Sequence, residues 1–301
     1  MFVNRKAFLQ WKTALELVTD DGTAQSPIAK PLLHQVAPSL FGMNAETGLI
    51  DFPDEIDTVI IDVGARDSDY MRLLETRAEK SPQSIALILV DPLPDSIVPL
   101  QKRVADYTMH HKDPRWLNQT YTNRVFCING AMAEREGQTT FNVGNGPACS
   151  SLLETSANNT FFCAKAQRKM PVLVYTLADL LALIPQRPTI TSLHLKVDAE
   201  GADFIVLKGA RDAITRFHSV VIECKAGAPS AEKETIYDNE CYYEPARAYM
   251  LQHGFDGAGV EVQGGLVNAY FWQRNRTHIP SYLTQPPVTH RNLYANMGRG
   301  G

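Results

Sequence analysis

Leu193-His194-Leu195-Lys196-Val197-Asp198-Ala199-Glu200-Gly201 reads as a strand that ends in alternating ionisable residues. Side chains alternate across a strand, so Lys196, Asp198 and Glu200 share one side while Leu195, Val197 and Ala199 share the other. The next stretch, Ala202-Asp203-Phe204-Ile205-Val206-Leu207-Lys208-Gly209-Ala210, changes to helical spacing, with Phe204, Val206 and Leu207 able to face a core. Charges at the carboxyl end of a buried strand are costly to desolvate, so they are usually paired or functional. The plainer reading is a solvated strand end with a lysine–carboxylate pair of little worth.

An upstream segment favours function. Asp57-Thr58-Val59-Ile60-Ile61-Asp62-Val63 is a continuous apolar strand running into the turn Gly64-Ala65-Arg66-Asp67-Ser68. A helix opens at Asp69-Tyr70-Met71, with Asp67 or Ser68 as its N-cap. A second apolar run, Ile85 to Val90, ends at Asp91-Pro92. Strand, glycine turn, helix, strand and terminal acid are the layout of a Rossmann-like half-site, in which the acid accepts hydrogen bonds from ribose hydroxyls.

The rest of the chain continues the alternation. A helix is predicted from Asp95 to about His110 and a third strand over 125–128. Thr176 with Asp179 is a capping-box-like start for a helix through Leu183. A fourth strand covers 191–197 and a fifth 219–223, and two strands near Val260 and Tyr270 form a hairpin at one sheet edge. The fold class is therefore α/β, with a mostly parallel sheet covered on both faces. Two long loops, 144–170 and 225–245, interrupt it. Loops at the carboxyl edge of such a sheet carry ligands and serve as lids, though ordinary surface insertions would look the same. His194 is read as a core histidine facing away from the charged triplet.

These motifs resemble a known family. Asp62-Val63-Gly64-Ala65, Asp91-Pro92, Leu195-Lys196-Val197-Asp198-Ala199-Glu200-Gly201-Ala202 and Val206-Leu207-Lys208-Gly209-Ala210 are similar to the FkbM family, class I methyltransferases that use S-adenosylmethionine. Asn129-Gly130-Ala131-Met132-Ala133 with Gly137 and Phe141, the stretch 174–181, Val220-Val221-Ile222-Glu223, Gly254-Phe255 and Asn268-Ala269-Tyr270-Phe271-Trp272 follow in the same order, so the likeness spans about residues 56–274. The resemblance implies a Rossmann-like class I methyltransferase with a mostly parallel seven-stranded sheet, helices on both faces and an antiparallel edge hairpin. It further implies that Asp62, Gly64 and Ala65 line the amino-acid end of the cofactor and that Asp91, with Pro92, holds its ribose. Asn129, Gly130 and Ala131 would lie near the adenine. Asp198 would sit where the methyl group meets the acceptor, with Lys196 steadying its charge and Glu200 and Glu223 as alternative bases or acceptor ligands. The family usually has a glycine where Ser68 stands, and often an asparagine at the position of Arg66. Ser68 adds a Cβ at a close backbone approach, while its hydroxyl can cap the helix or touch the cofactor. The implied activity is O-methylation of a sugar or natural-product-like hydroxyl. The alternatives are a catalytically weak cofactor-binding regulatory protein and an NAD-dependent dehydrogenase, the latter disfavoured because no full G-x-G-x-x-G is present.

Composition bounds the organisation. The chain has 301 residues, 44% of them hydrophobic, enough for one substantial core with appendages. The division read from the sequence is an N-terminal helical extension and connector over 1–55, a catalytic domain over 56–276 and a Pro/Gly-rich tail over 277–301. Within the extension, residues 1–18 read as an amphipathic helix that packs on the domain or on a homodimer partner, with a membrane-surface anchor, supported by Arg5, Lys6 and Lys12 alone, as the alternative. A net charge of −4 gives no drive toward nucleic acid or anionic membrane; the partner that the resemblance implies is a small-molecule acceptor, carbohydrate among them. The five cysteines, Cys127, Cys149, Cys163, Cys224 and Cys241, form no C-x-x-C pair. Their odd number and wide spacing favour free thiols in a reducing compartment. With no signal-peptide core and no run approaching the roughly 20 apolar residues of a membrane span, the expected location is the cytoplasm. No ligand spacing specifies a metal site.

Overall fold

The computed structural model describes residues 40–66, 85–110, 124–145, 149–156, 168–227, 236–263 and 265–274, together with Leu33, His34, Ala37, Ser68, Tyr70, Met71 and Cys163. The predicted helix over 1–18, the tail over 277–301 and most of the predicted helix after Asp69 lie outside these residues.

Strands β1 (Thr58–Val63) and β2 (Ile85–Asp91) are buried along their whole length on both faces. An unbroken apolar run is what a central parallel strand covered from both sides requires. β3 is Val125–Asn129, β7 Ser192–Val197 and β8 Ser219–Lys225. The hairpin β9 (Phe255–Gln263) and β10 (Leu266–Gln273) completes a seven-stranded sheet in the order β3-β2-β1-β7-β8-β10-β9. The first five strands are parallel and β10 runs antiparallel to β8. From β1 the chain builds outward to β3 on one side, and later resumes on the other side of β1 with β7. The carboxyl ends of β1 and β7 therefore flank the switch point where such sheets bind ligands.

Each face of the sheet has its own core. Val59, Ile61, Val63, Leu195 and Val197 pack against Leu177, Leu180 and Leu181 of α2 (Leu177–Leu183) and Val206 and Leu207 of α3 (Asp203–Lys208). Ile60, Leu87 and Leu89 on the opposite face meet Ile97 and Leu100 of α1 (Pro94–His110). Phe41, Ile50 and Phe52, from the stretch read as a connector, join the first core, with the Phe41 and Phe126 rings 5.3 Å apart. Burying such a side chain contributes about 1.5–3 kcal/mol. Thr176 caps α2 as its spacing predicts, accepting from the Asp179 backbone N–H at 3.1 Å. The expectation for His194 needs one correction. It is buried, at 2% exposure, but strand alternation puts it on the same side as Lys196, where its Nδ1 lies 2.8 Å from Ser219 Oγ.

Two features are absent from the sequence reading. One is a second, three-stranded sheet of β4 (Ala131–Met132), β5 (Gly137–Val143) and β6 (Arg168–Tyr175), in the order β4-β6-β5. The other overturns the expectation of free thiols: Cys149 is bonded to Cys163 and Cys224 to Cys241, leaving Cys127 free. The partners stand 14 and 17 positions apart, each pair brought together by a folded-back loop that no local spacing rule detects. Disulfides persist in oxidising surroundings, so the support that free cysteines lent to a reducing compartment is removed. Among the described residues, no helix is long and apolar enough to cross a membrane.

Candidate functional site

Gly64 turns the chain off β1 at a φ of 77°. A Cβ there would stand 1.8 Å from the Asp198 carbonyl oxygen, so the turn after β1 and the end of β7 approach as closely as backbones can. The contact is fixed by the Asp198 N–H, which donates to the Val63 carbonyl at 3.0 Å. Arg66, Ser68 and Glu200, none of them glycine, also have left-handed φ values of 41°, 30° and 50°. Such conformations are costly for L-residues and cluster where surrounding structure holds a site in shape.

Behind this turn lies a chain of charges. The Lys196 ammonium donates to Asp62 Oδ1 at 3.2 Å and lies 3.3 Å from Asp198 Oδ2. Asp62 is only 1% exposed, and its second oxygen accepts from the Ser68 hydroxyl at 2.7 Å. Burial alone would lower the Lys196 pKa, but Asp62 and Asp198 hold it well above the ordinary amine value. The pair Asp62–Ser68 thus braces the turn from beneath, while Asp198, with 27% of its side chain exposed, faces the cleft.

The acid at the end of β2 is pinned by backbone. Asp91 Oδ2 accepts from the Arg66 N–H at 3.0 Å and Oδ1 from the Leu93 N–H at 2.8 Å. Burial pushes its carboxyl up to about 6 against the pull of these donors. Asn129 spends its side-chain amide on the carbonyls of Asp91 and Pro92, at 3.1 and 3.0 Å, and holds the two strand ends together. Gly130 and Ala131 line the cleft, with no room for a Cβ at Gly130 against the Tyr175 ring.

Three more carboxyls gather beyond Asp198. Asp203, fully buried, accepts from the N–H groups of Ala199 at 3.2 Å and Gly201 at 3.1 Å, and burial, then Asp198, push it up to about 7. Burial, followed by Asp198, Glu223 and Asp203, lifts Glu200 well above the ordinary carboxylate range, opposed by Arg66. Burial with Asp198 and Asp203 brings Glu223 to about 8, opposed by Lys196. Among the described residues no three His, Cys, Asp or Glu side chains form a metal-binding group.

Gly64, Ala65, Ser68, Asp91, Pro92, Gly130, Ala131, Lys196, Asp198 and Glu200 all line one cleft that is partly open to solvent. Asp62, Asn129 and Glu223 stand behind or beside its lining. Ser150 and Leu152, from the loop after β5, form part of its wall. That loop pairs with the one after β8: Thr155 bridges Tyr237, Ser156 N–H donates to Ile236 O, and Asp238 N–H donates to Glu154 O, both at 2.9 Å.

Residues 62–256, well over half of the chain, match the family model described as the methyltransferase FkbM domain. The chain belongs to the FkbM methyltransferase family. Solved structures with a similar course include an FkbM methyltransferase from Methylobacillus flagellatus KT, at 14% identity and a TM-score of 0.41, covering 89% of this chain and 59% of that one. The antibiotic-resistance methyltransferase Kmr is 12% identical at a TM-score of 0.31, over 73% of this chain and 88% of its own. LepI in complex with SAM is 12% identical at 0.30, over 87% and 55%. The chain thus spans 59% of the length of the Methylobacillus protein. No curated protein sequence matches it.

Within the FkbM domain, the sheet order and the edge hairpin agree with the class I methyltransferase fold read from the motifs. Sequence reasoning did not single out Asp203, although an acid in the first turn of a helix after a glycine is a recognisable capping signal. Nor did it assign roles to Glu240 or to Ser150 and Leu152, which the pairing of Ser151 with Asn142 of β5 brings to the cleft. Glu240 Oε2 accepts from the N–H groups of Ile236 at 3.0 Å and Tyr237 at 3.2 Å, and Lys225 pairs with its other oxygen at 3.1 Å.

Proposed function

We propose that this chain is an S-adenosylmethionine-dependent methyltransferase acting on a hydroxyl of a sugar or natural-product-like small molecule. The observation that carries the reading is the cleft at the carboxyl ends of β1, β2 and β7 of an FkbM domain, in which Asp91 stands with its carboxyl fixed by two backbone N–H groups. Each oxygen of that carboxyl takes one backbone donor, and a carboxylate has further lone pairs for ribose hydroxyls. Without a Cβ at Gly64 and Gly130, the Asp198 carbonyl and the Tyr175 ring pack directly on those backbones, which fixes the strand ends that form the cleft around Asp91. The residues present fit the group: Gly64 and Ala65 toward its amino-acid end, Asp91 and Pro92 at the ribose, Gly130 and Ala131 near the adenine. Asp62, Ser68 and Asn129 act through the loops they brace.

The bound sulfonium supplies an electrophilic methyl group, and the enzyme's task is alignment with the acceptor and removal of a proton. Lys196 keeps Asp198 oriented, and Asp198 in turn fixes the acceptor hydroxyl, with Glu200 and Glu223 as adjoining bases. The Ser68 hydroxyl is turned to Asp62, so its departure from the usual glycine supports the loop and weighs against a silent relative.

The test is calorimetric titration with S-adenosylmethionine, S-adenosylhomocysteine and NAD, followed by a labelled-methyl assay on alcohols and glycosides. Binding of the adenosyl ligands with label appearing on a hydroxyl is the expected result. Binding of NAD alone, or adenosyl binding without transfer to any acceptor, defeats the proposal.

A further inference from the structure

Beside Asp198 stands a second group of side chains whose arrangement the alignment of donor and acceptor does not explain. β8 runs parallel to β7 with Lys196 opposite Val221 and Val197 opposite Ile222. Two positions on, that register brings Glu223 to the face carrying Asp198. Glu200 follows in its left-handed turn, next to Gly201 at a φ of 88°.

The loop after β8 is drawn down onto these groups. Cys241 is bonded to Cys224, the neighbour of Glu223, and its N–H donates to the Gly201 carbonyl at 2.7 Å. Glu240 is held by Lys225 and by the backbone of Ile236 and Tyr237. The result is a Tyr237 ring pressed on Gly201 so closely that a Cβ there would stand 2.8 Å from it. Tyr237 is 3% exposed and its hydroxyl has no hydrogen-bond partner, while Glu200, Glu240, Asp203 and Glu223 all act on it electrostatically. A buried hydroxyl left unpaired among carboxyls is costly, and a ligand atom meets that need.

We propose that Tyr237, Glu200 and Glu223 form the acceptor subsite, gripping neighbouring hydroxyls of a neutral polyol, and that the two glutamates receive the proton its nucleophilic oxygen loses. This rests on the methyltransferase reading above. The O–H bond breaks as an O–CH3 bond forms. The sulfonium–methyl bond yields its electron pair to sulfur, and the proton goes to a glutamate carboxylate. Burial and the neighbouring carboxylates raise both glutamates, Glu223 to about 8, so each keeps a proton over a wider pH range and can donate as well as accept a hydrogen bond. An ammonium would demand ionised carboxylates and has no lone pair for the methyl group. The charged and titratable groups facing the pair are Asp198 and Lys196 from β7 and its end, Asp203 from α3, Arg66 from the β1 turn, and Tyr237 from the cover. The Lys225–Glu240 pair adjoins them.

The experiment is saturation-transfer NMR on the full chain saturated with S-adenosylhomocysteine. The probes are methyl glucoside, galactoside, mannoside and 6-deoxymannoside, with cyclohexanol and cyclohexylamine as contrasts. We expect at least one glycoside to bind better than either contrast. Tyr237→Phe should weaken it roughly 3- to 10-fold, the scale of one hydrogen bond. Glu223→Gln should lower methylation at saturating glycoside roughly 10²-fold or more, beyond any loss of binding. If S-adenosylhomocysteine itself does not bind, the methyltransferase reading fails and this inference with it. If it binds but no glycoside does, if cyclohexylamine binds best, or if Tyr237→Phe binds like wild type, the subsite alone is wrong.

Discussion

The α-carbon of Gly64 faces the carbonyl oxygen of Asp198 so closely that a methyl group on it would lie 1.8 Å from that oxygen. Gly64→Ala must therefore separate the turn from β7 as well as hold a side chain at positive φ, itself a cost of about 1–2 kcal/mol. We expect a lower melting temperature and a still larger loss of S-adenosylmethionine affinity. Gly42→Ala, with nothing within 4 Å of its added Cβ, should leave both unchanged. Calorimetry and titration of the two variants check this.

Asp91→Ala removes the proposed ribose acceptor, and affinity should fall roughly ten- to hundredfold with the fold intact. The pH dependence has a definite sign. Burial raises the Asp91 carboxyl to about 6, so the folded apoprotein holds this proton at pH values where the unfolded chain has lost it. This residue's contribution to stability thus falls as pH rises from about 4 to 6. Cofactor binding, which draws on the carboxylate, should strengthen across the upper part of that range. Asp91→Asn should flatten the affinity profile; an unchanged profile would remove the assignment.

Lys196 serves two carboxylates of unequal burial, Asp62 at 1% and Asp198 at 27% side-chain exposure. Lys196→Met strands the buried one and should destabilise by about 3–5 kcal/mol. Asp198→Asn leaves Lys196 with Asp62, so the melting temperature should hold while turnover falls roughly 10²-fold or more. Equal destabilisation by both variants, read by chemical denaturation, would make Asp198 structural.

Thiol titration of the unreduced, denatured chain should find one free cysteine, Cys127, out of five. Paired Cys224→Ser and Cys241→Ser substitutions should cost about 2–4 kcal/mol and speed hydrogen exchange over residues 236–242. Five free thiols in protein isolated without reductant would refute the pairing.

Hydrogen exchange over 149–156 and 236–242 should slow when S-adenosylhomocysteine and an acceptor are bound together, as for a cover that closes on ligands. Exchange unchanged in both segments would leave them as plain surface loops.

The legible part of this protein is the part written in one-dimensional periodicity. β1 and β2 are apolar runs because both faces are buried, broken by Asp62 near the end of β1 and closed by Asp91 at the end of β2, and the turn to helical spacing after Gly201 marks the end of β7. Ten of the motif positions line one cleft because strand ends of a parallel sheet converge at the switch point, while Asp62, Asn129 and Glu223 stand outside its lining. The disulfides, the second sheet and the partnership of Tyr237 with the acid cluster were not legible. Each depends on which loop lies across which, and nothing local in Cys149, Arg168 or Tyr237 encodes that. His194 shows a different failure: its parity with Lys196 was available in the chain and misread.

The seam between Thr155 and Tyr237 turns two loops into a single door. Ser150 and Leu152 line the cleft, while the Tyr237 ring lies on Gly201. If the loops cover the proposed methyltransferase site, the seam predicts that spent donor and methylated product leave in one shared opening event. Ser156→Pro, which deletes the N–H donated to Ile236, unhooks one stitch of the seam. Its effect belongs in the release phase of the catalytic cycle, hastening the departure of both products by the same factor.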